Sequence, residues 1–314
     1  MKPIKFKIIE KEISDKCWDT SRVHPNWLDE FVAKRPDVLK NIDFFLPGLR
    51  SQDQHQTRFD LFCEVDDNPE IYVSPLYIEL LEFGGLGDQI VPYIKCLCEK
   101  YKDNIVMFQW NHDNDFAKYS TEVDKIENAR IINMGDSSVV GKNDILVHRW
   151  IINTKPYKEE KKYFASFIGS INNQYRYELA KNIINAGNNK ISYQNNIPHD
   201  KFLSTLSSTM FSLCPLGGPG QGGFSYRFFE CLHLNTIPVL MVDNIIFPYQ
   251  DRVDWNNLCV RISQKDSLDI NQLIQTLESV DTEKILRYIN DTKDVFTLGG
   301  AQETIYRSVR NESW

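Results

Sequence analysis

The sequence predicts an α/β chain of two Rossmann-like domains, each with a largely parallel sheet. Three observations predict it. Apolar runs of strand length alternate with helical-period segments over most of the chain, as in sheets crossed over by helices. A polar stretch at 153–162, with Pro156, interrupts the alternation and reads as an interdomain linker. The 314 residues, 42% of them hydrophobic, are enough for two cores. The domains are therefore expected at 1–158 and 159–314, with the last helix free to pack back on the first.

The elements follow in order. The alternating start, 1–10, reads as a strand, and Trp27–Phe31 and Arg50–Arg58 as irregular, the second a loop. Regular alternation begins at Ile71–Leu81. In Gln89–Tyr101, Ile90, Ile94, Leu97, Cys98 and Tyr101 share one helical face, and Pro92 sits in the first turn, where a missing N–H costs least. Strands are expected at Asn104–Trp110, Ala129–Asn133 and Asp144–Trp150. Past the linker come a strand at Tyr163–Ile168, a helix at Tyr175–Ala186 closed by Gly187, and a strand at Ile191–Gln194. A helix at Pro198–Ser208, a strand at Met210–Cys214, a helix at Ser225–His233 and a strand at Ile237–Val242 complete the alternation. Helical patterns run from Ile270 to the end. Ligands of such sheets bind at the carboxyl ends of the strands.

Composition narrows the function classes. Charged residues are 25% and the formal net charge is −7, which argues against a nucleic-acid binder. Seven cysteines (17, 63, 96, 98, 214, 231 and 259) form no Cys-x-x-Cys pair, and all seven read as reduced. No signal-peptide pattern or run of ~18 apolar residues is present, so no transmembrane segment is expected. The cytoplasm is the simplest compartment, and the lumen is the alternative if an anchor was removed.

The chemistry concentrates in Met210–Glu230. A hydrophobic strand ends at Pro215, glycines 217, 218, 220, 222 and 223 follow, and a helix starts near Ser225. Glycines let backbone N–H groups approach an anion, and a helix N-terminus adds about half a positive charge. Arg227 in the first helical turn can fork onto phosphate oxygens. Glu230, three residues on and on the same face, can accept the two hydroxyl protons of a ribose. Diphosphate and ribose together describe a nucleotide sugar. The other reading of these residues is a plain loop followed by a surface Arg–Glu ion pair. Neither a Walker motif nor a dinucleotide G-x-G-x-x-G in its usual place is present.

The run Phe224–Asp243, followed by Phe247-Pro248-Tyr249 and Val253-Asp254-Trp255, resembles the exostosin family. That family shows a Ser-x-Arg-x-x-Glu helix, an Ile-Pro-Val strand, a Pro-aromatic pair and a closing Asp-Trp. Phe167-Ile168-Gly169 with Arg176, and Phe211–Pro215, fit its upstream elements, and Asn68–Tyr77 resembles an earlier strand. The resemblance is strong over 164–255, with a longer, more glycine-rich loop at 217–223 than is usual. It implies the GT-B architecture, two Rossmann-like domains facing a cleft, and an inverting sugar transfer to a glycan or oligosaccharide hydroxyl. The donor implied is a nucleotide sugar, with a UDP-sugar the leading choice. Gly222, Gly223, Ser225, Arg227 and Arg176 would hold the diphosphate, and Glu230 the ribose. No metal and no further cofactor are implied, because helix dipole and arginine neutralise the leaving group.

An inverting transfer needs a general base. Asp113 is the candidate, with His112 and Asp115 beside it, because 111–115 follows a buried strand. A solvated turn is the alternative for that stretch. Gly85 and Asp88, in the Gly84–Gln89 stretch between a strand and a helix, are acceptor-side candidates, as is His148; Asp88 also reads as an N-cap. Asp113-Asn114-Asp115 is the one Asp-x-Asp spelling, the pattern of metal-dependent transferases, and it opposes the metal-free expectation. A non-catalytic partner subunit that keeps the fold is the alternative from another class. The donor sugar, the acceptor linkage and the oligomeric state are not specified by the sequence.

Overall fold

The computed structural model describes residues 4–22, 63–74, 76, 78–83, 85–110, 117–133, 140–148, 159–215, 224–243 and 245–311. Trp27–Phe31, Arg50–Arg58, His112, Asp113, Asp115, Gly222 and Gly223 lie outside the described residues. Those described fall into two compact units. The first takes residues within Met1–Met134, Val139–Val147 and Gln302–Ser313, and the second those within His148–Ala301.

The first unit holds strands β1 (Ile4–Ile8), β2 (Cys63–Val65), β3 (Ile71–Val73), β4 (Ile105–Trp110), β5 (Ala129–Asn133) and β6 (Asp144–Leu146). They form one parallel sheet in the order β2-β1-β3-β4-β5-β6. Its helices include α1 (Ile78–Phe83), α2 (Ile90–Lys100) and α3 (Ala117–Val123). Helix α2 buries Ile90, Tyr93, Ile94, Leu97 and Cys98 against Val106 and Phe108 of β4. Fully burying one such aliphatic side chain is worth roughly 1.5–3 kcal/mol. The Ile71–Leu81 run divides into β3 and α1, with Ser74 at the break. The Gly84–Gln89 stretch therefore joins two helices, not a strand to a helix.

The second unit is a five-stranded parallel sheet of β7 (Tyr163–Ile168), β8 (Ile191–Gln194), β9 (Thr209–Pro215), β10 (Ile237–Met241) and β11 (Val260–Ile262), ordered β11-β10-β9-β7-β8. Strands β9 and β10 are almost wholly buried, as parallel strands covered on both faces must be. Helices α4 (Gln174–Ala186), α5 (His199–Ser207) and α6 (Tyr226–His233) connect them. Asn173 caps α4 by accepting from the Arg176 N–H, and Gly187 ends it at φ 58°. Two all-parallel Rossmann-like sheets in one chain are the components of the GT-B architecture. No helix among the described residues is long and apolar enough to cross a membrane.

The reading of seven reduced cysteines is corrected at one pair. Cys17 and Cys96 form a disulfide with Cα atoms 5.5 Å apart, across 79 residues of sequence. The reason is tertiary. A 3-10 turn at Asp15–Cys17 packs on α2, with Ser14 Oγ and Tyr93 Oη 2.7 Å apart, and so brings Cys17 to the flank of that helix. Cys98, Cys214, Cys231 and Cys259 are buried free thiols. Replacing both partners (Cys17→Ser with Cys96→Ser) should cost about 2–5 kcal/mol of stability. Denaturant melts of the oxidised, reduced and mutant chains check this, and coincident midpoints would show that the bridge does not contribute.

Candidate functional site

The second sheet, read in order of its chain, runs 2-1-3-4-5. In such a sheet the strand direction of travel reverses between the first and third strands, and the crevice at their carboxyl ends is the usual ligand position. Here that point lies between β7 and β9, and two arginines converge on it.

Arg176, in the first turn of α4, is 5% exposed. Its Nη1 donates to Ser170 O at 3.2 Å, just past β7, and its Nη2 to Pro215 O at 3.2 Å, the end of β9. Arg227, in the first turn of α6, is 8% exposed. Its Nη1 donates to Leu213 O at 3.4 Å, and its guanidinium lies over the Phe167 ring at 5.6 Å. A Cβ at position 169 would overlap Arg227 Nη2, so Gly169 makes room for the guanidinium. Arg227 Nε is buried with no hydrogen-bond partner, as is Oγ of Ser225, the α6 N-cap residue. Both helices thus direct N-terminal N–H groups and a buried guanidinium to one strand edge, a strongly anion-attracting arrangement. The Arg176 pKa is pushed down to about 10, first by burial and then by the Arg227 charge.

Glu230 lies one turn along α6 from Arg227 and is half-buried. The Arg227–Glu230 surface ion pair is not formed, because Arg227 is buried and no salt bridge joins the two side chains. Burial raises the Glu230 carboxyl to about 7, against the lowering effect of Arg227. An aromatic cluster fixes the helix. Phe228 stacks on Trp255 at 5.7 Å, Phe247 stacks on Trp255 at 4.5 Å, and Phe224 sits 5.2 Å from Trp255. Trp255 Nε1 donates to Pro248 O at 2.9 Å, and the Asp254 side chain caps the turn that carries Trp255. The aromatic and Asp-Trp parts of the signature are therefore packing groups that hold Arg227 and Glu230 in place.

The candidates in the chain's first half are placed differently. Gly85 is an exposed turn glycine at φ 72°. Asp88 is exposed, lies inside a 3-10 turn without capping it, and pairs with Arg22 at 2.8 Å. His148 belongs to the second unit and is 2% exposed, so the expectation that it faces an acceptor is corrected. Its Nδ1 is 2.6 Å from Tyr249 Oη, inside a cage of Phe229, Tyr249 and Phe296. Burial holds its pKa down to about 3, so the imidazole is neutral. Sequence reasoning missed Tyr193, Asn195 and Ser212, whose buried oxygens have no partner. Among the described residues no group of three or more His, Cys, Asp or Glu side chains is placed to hold a metal ion.

The Glu230 shift sets a pH dependence. A carboxyl whose folded pKa lies above its unfolded value binds more protons when folded, so it opposes folding as pH rises. The cost is absent below about 4.5 and complete above about 7. Glu230→Gln should therefore raise stability by about 1–3 kcal/mol at pH 8, with the gain vanishing near pH 4. Thermal melts across pH test it, and a pH-independent difference would remove the buried-carboxyl account.

Residues 139–279 match the model of the Exostosin GT47 domain. A rice (Oryza sativa subsp. japonica) probable glucuronosyltransferase, GUT1, is 33% identical over 86 residues, 27% of this chain and 19% of that protein. The probable β-1,4-xylosyltransferase IRX10 of Arabidopsis thaliana matches with the same identity and coverage. The Exostosin-1 homolog of Caenorhabditis elegans is 31% identical over 71 residues, 23% of this chain and 18% of its own length. The matches thus span about a fifth of these relatives. Among solved structures, Anabaena HepE in complex with UDP is similar at a TM-score of 0.48 and 8% identity, over 77% of this chain and 79% of that one. Over residues 139–279 the chain is thus similar to the exostosin GT47 domain, and the relatives that match it are named as glycosyltransferases or as an exostosin homolog.

Proposed function

We propose that the chain is an inverting glycosyltransferase that moves a sugar from a UDP-sugar to a hydroxyl of a glycan acceptor. One observation carries the reading: two buried guanidiniums and two helix N-termini converge at the switch point of the second sheet, with a half-buried carboxylate one turn away. The relatives named as glucuronosyl- and xylosyltransferases support the same class.

The chemistry follows from that arrangement. Arg227 and Arg176 neutralise the diphosphate as its bond to the anomeric carbon breaks, and the α6 N–H groups add fixed positive potential. Glu230 accepts hydrogen bonds from the ribose diol. Gly222, Gly223 and Ser225 complete the phosphate cradle. A general base takes the acceptor proton as the acceptor oxygen attacks from the face opposite the diphosphate, which inverts the centre. Asp113, after β4, is the residue proposed for that role. The reaction is proposed to run without a metal. The Cys17–Cys96 bridge favours an oxidising compartment, hence the lumenal alternative over the cytoplasm.

Arg227→Ala should weaken UDP binding by roughly 2–5 kcal/mol while the fold persists, because it leaves a phosphate charge unpaired. Calorimetric titration measures it, and unchanged affinity would sink the donor-site assignment. Asp113→Asn should keep donor affinity and lower turnover by about 10²–10⁴-fold in excess chelator. Turnover within a few-fold of wild type would move the base elsewhere. UDP binding with no transfer to any acceptor would favour the partner-subunit alternative.

A further inference from the structure

The second sheet carries a second set of unsatisfied groups, one strand over from the arginines. Strand β8 pairs with β7 in register, Phe167 against Tyr193 and Ile168 against Gln194. Side chains of directly paired residues share a face, and i, i+2 residues share it along a strand. Tyr193 therefore stands beside Phe167, with ring centroids 5.3 Å apart, and Asn195 follows directly after the strand's carboxyl end at Gln194. Gly169 N–H donates to Gln194 O at 3.0 Å, so the two strand ends are level. Phe167 is thus flanked by the Arg227 guanidinium on one side and by Tyr193 on the other.

Tyr193 Oη and Asn195 Oδ1 are both buried, and neither has a hydrogen-bond partner. Two such atoms two residues apart are uncommon, since leaving a buried polar group unpaired costs on the order of 1–3 kcal/mol. Their chemistry is complementary: a phenol can donate, and a carboxamide oxygen accepts. The group that satisfies both presents a carbonyl acceptor next to an N–H donor in one plane. The imide edge of uracil is such a group. A phosphate offers no donor, and a ribose offers hydroxyls but no planar carbonyl. Tyr193 is on β8 and Arg227 is held to β9, two strand spacings or about 10 Å apart across the sheet. That offset separates a base position from the anion position while keeping both on one sheet edge.

We infer that the carboxyl end of β8 is the base-reading part of the nucleotide site, with the Tyr193 hydroxyl donating to a uracil carbonyl and the Asn195 carboxamide oxygen accepting the ring N–H. The inference rests on the nucleotide-donor reading above and adds its base selectivity. Cytosine, which lacks the ring N–H, leaves Asn195 Oδ1 unpaired, and the discrimination comes from that penalty.

The test is calorimetric titration of the full chain with UDP, CDP and inorganic diphosphate. Tyr193→Phe and Asn195→Ala are each expected to weaken UDP about three- to tenfold, to leave diphosphate within about twofold, and to narrow the gap between UDP and CDP. Arg227→Ala is expected to weaken all three ligands together. Equal losses of UDP and diphosphate, or an unchanged UDP-to-CDP ratio, in the β8 variants would overturn the inference while Arg227→Ala still supports the donor site. Arg227→Ala without effect on any ligand would overturn the donor site itself. Tyr193→Phe is also expected to melt no lower than wild type when free of ligand, because its hydroxyl has no bond to lose. A lower melting temperature would mark that hydroxyl as structural and end its role as a base reader.

Discussion

The second unit depends on holding two guanidiniums, Arg176 and Arg227, out of water at one strand edge. Burial strips hydration and the like charge of Arg227 repels, and together they push the Arg176 pKa down to about 10. The partial offset comes from the sheet. Carbonyls at the carboxyl ends of β7 and β9 point outward, and Ser170 O, Pro215 O and Leu213 O accept from the guanidiniums. Only a parallel sheet brings adjacent strands to an end at the same edge with carbonyls and helix N-termini together. The remaining deficit is electrostatic, and an anion removes it.

That requirement explains the surroundings. Gly169 is small because Arg227 Nη2 occupies the space a Cβ would take. Phe167 gives the Arg227 cation an aromatic face, a contact worth about 0.5–2 kcal/mol where water is excluded. Phe224, Phe228, Phe247 and Trp255 pack as one aromatic block that holds α6 against the sheet, so Arg227 cannot relax outward. Stability held in that block sustains a site that is unfavourable by itself. Glu230 shows the same economy at smaller scale, its carboxyl raised to about 7 by burial on the same helix.

Much of this was legible in the sequence because the strands are buried on both faces and read as plain apolar runs. Ala129–Asn133, Tyr163–Ile168 and Ile191–Gln194 have the bounds expected. Strands β2 and β11, three residues each, are too short to show a period, and α1 is too short to separate from β3 before it. Arg227 and Glu230 stand out in the sequence because a glycine run and a helix start precede them, and Arg176 stands out only through the family resemblance. The Cys17–Cys96 bridge was hidden by 79 residues of separation and depends on packing of a turn that sequence does not foretell. His148 misled for a related reason. A histidine ending a strand looks available, and only the Phe229, Tyr249 and Phe296 cage shows it to be core. Tyr193 and Asn195 look like an ordinary strand end followed by a turn, and only their lack of partners distinguishes them.

The two sheets make the contrast on the same topology. The first sheet also reverses between its first and third strands, β1 and β3, so a ligand crevice is equally available there by strand order. Among the described residues, the buried hydroxyls at that point bond one another. Ser74, just past β3, lies 2.8 Å from Tyr93 Oη, which lies 2.7 Å from Ser14 Oγ beyond β1, and Ser74 Oγ also donates to Leu76 O at 2.9 Å. Burial pushes the Tyr93 phenol up to about 12, so the network stays neutral, and the Cys17–Cys96 disulfide ties the same segment to α2. At the corresponding edge of the second sheet, Arg227 Nε, Ser225 Oγ, Tyr193 Oη and Asn195 Oδ1 are buried and unpaired. Strand order therefore creates the opportunity in both units, and hydrogen-bond accounting separates them. The edge whose polar groups find each other is a seam of the fold. The edge whose polar groups do not is the one that gains most from a bound ligand.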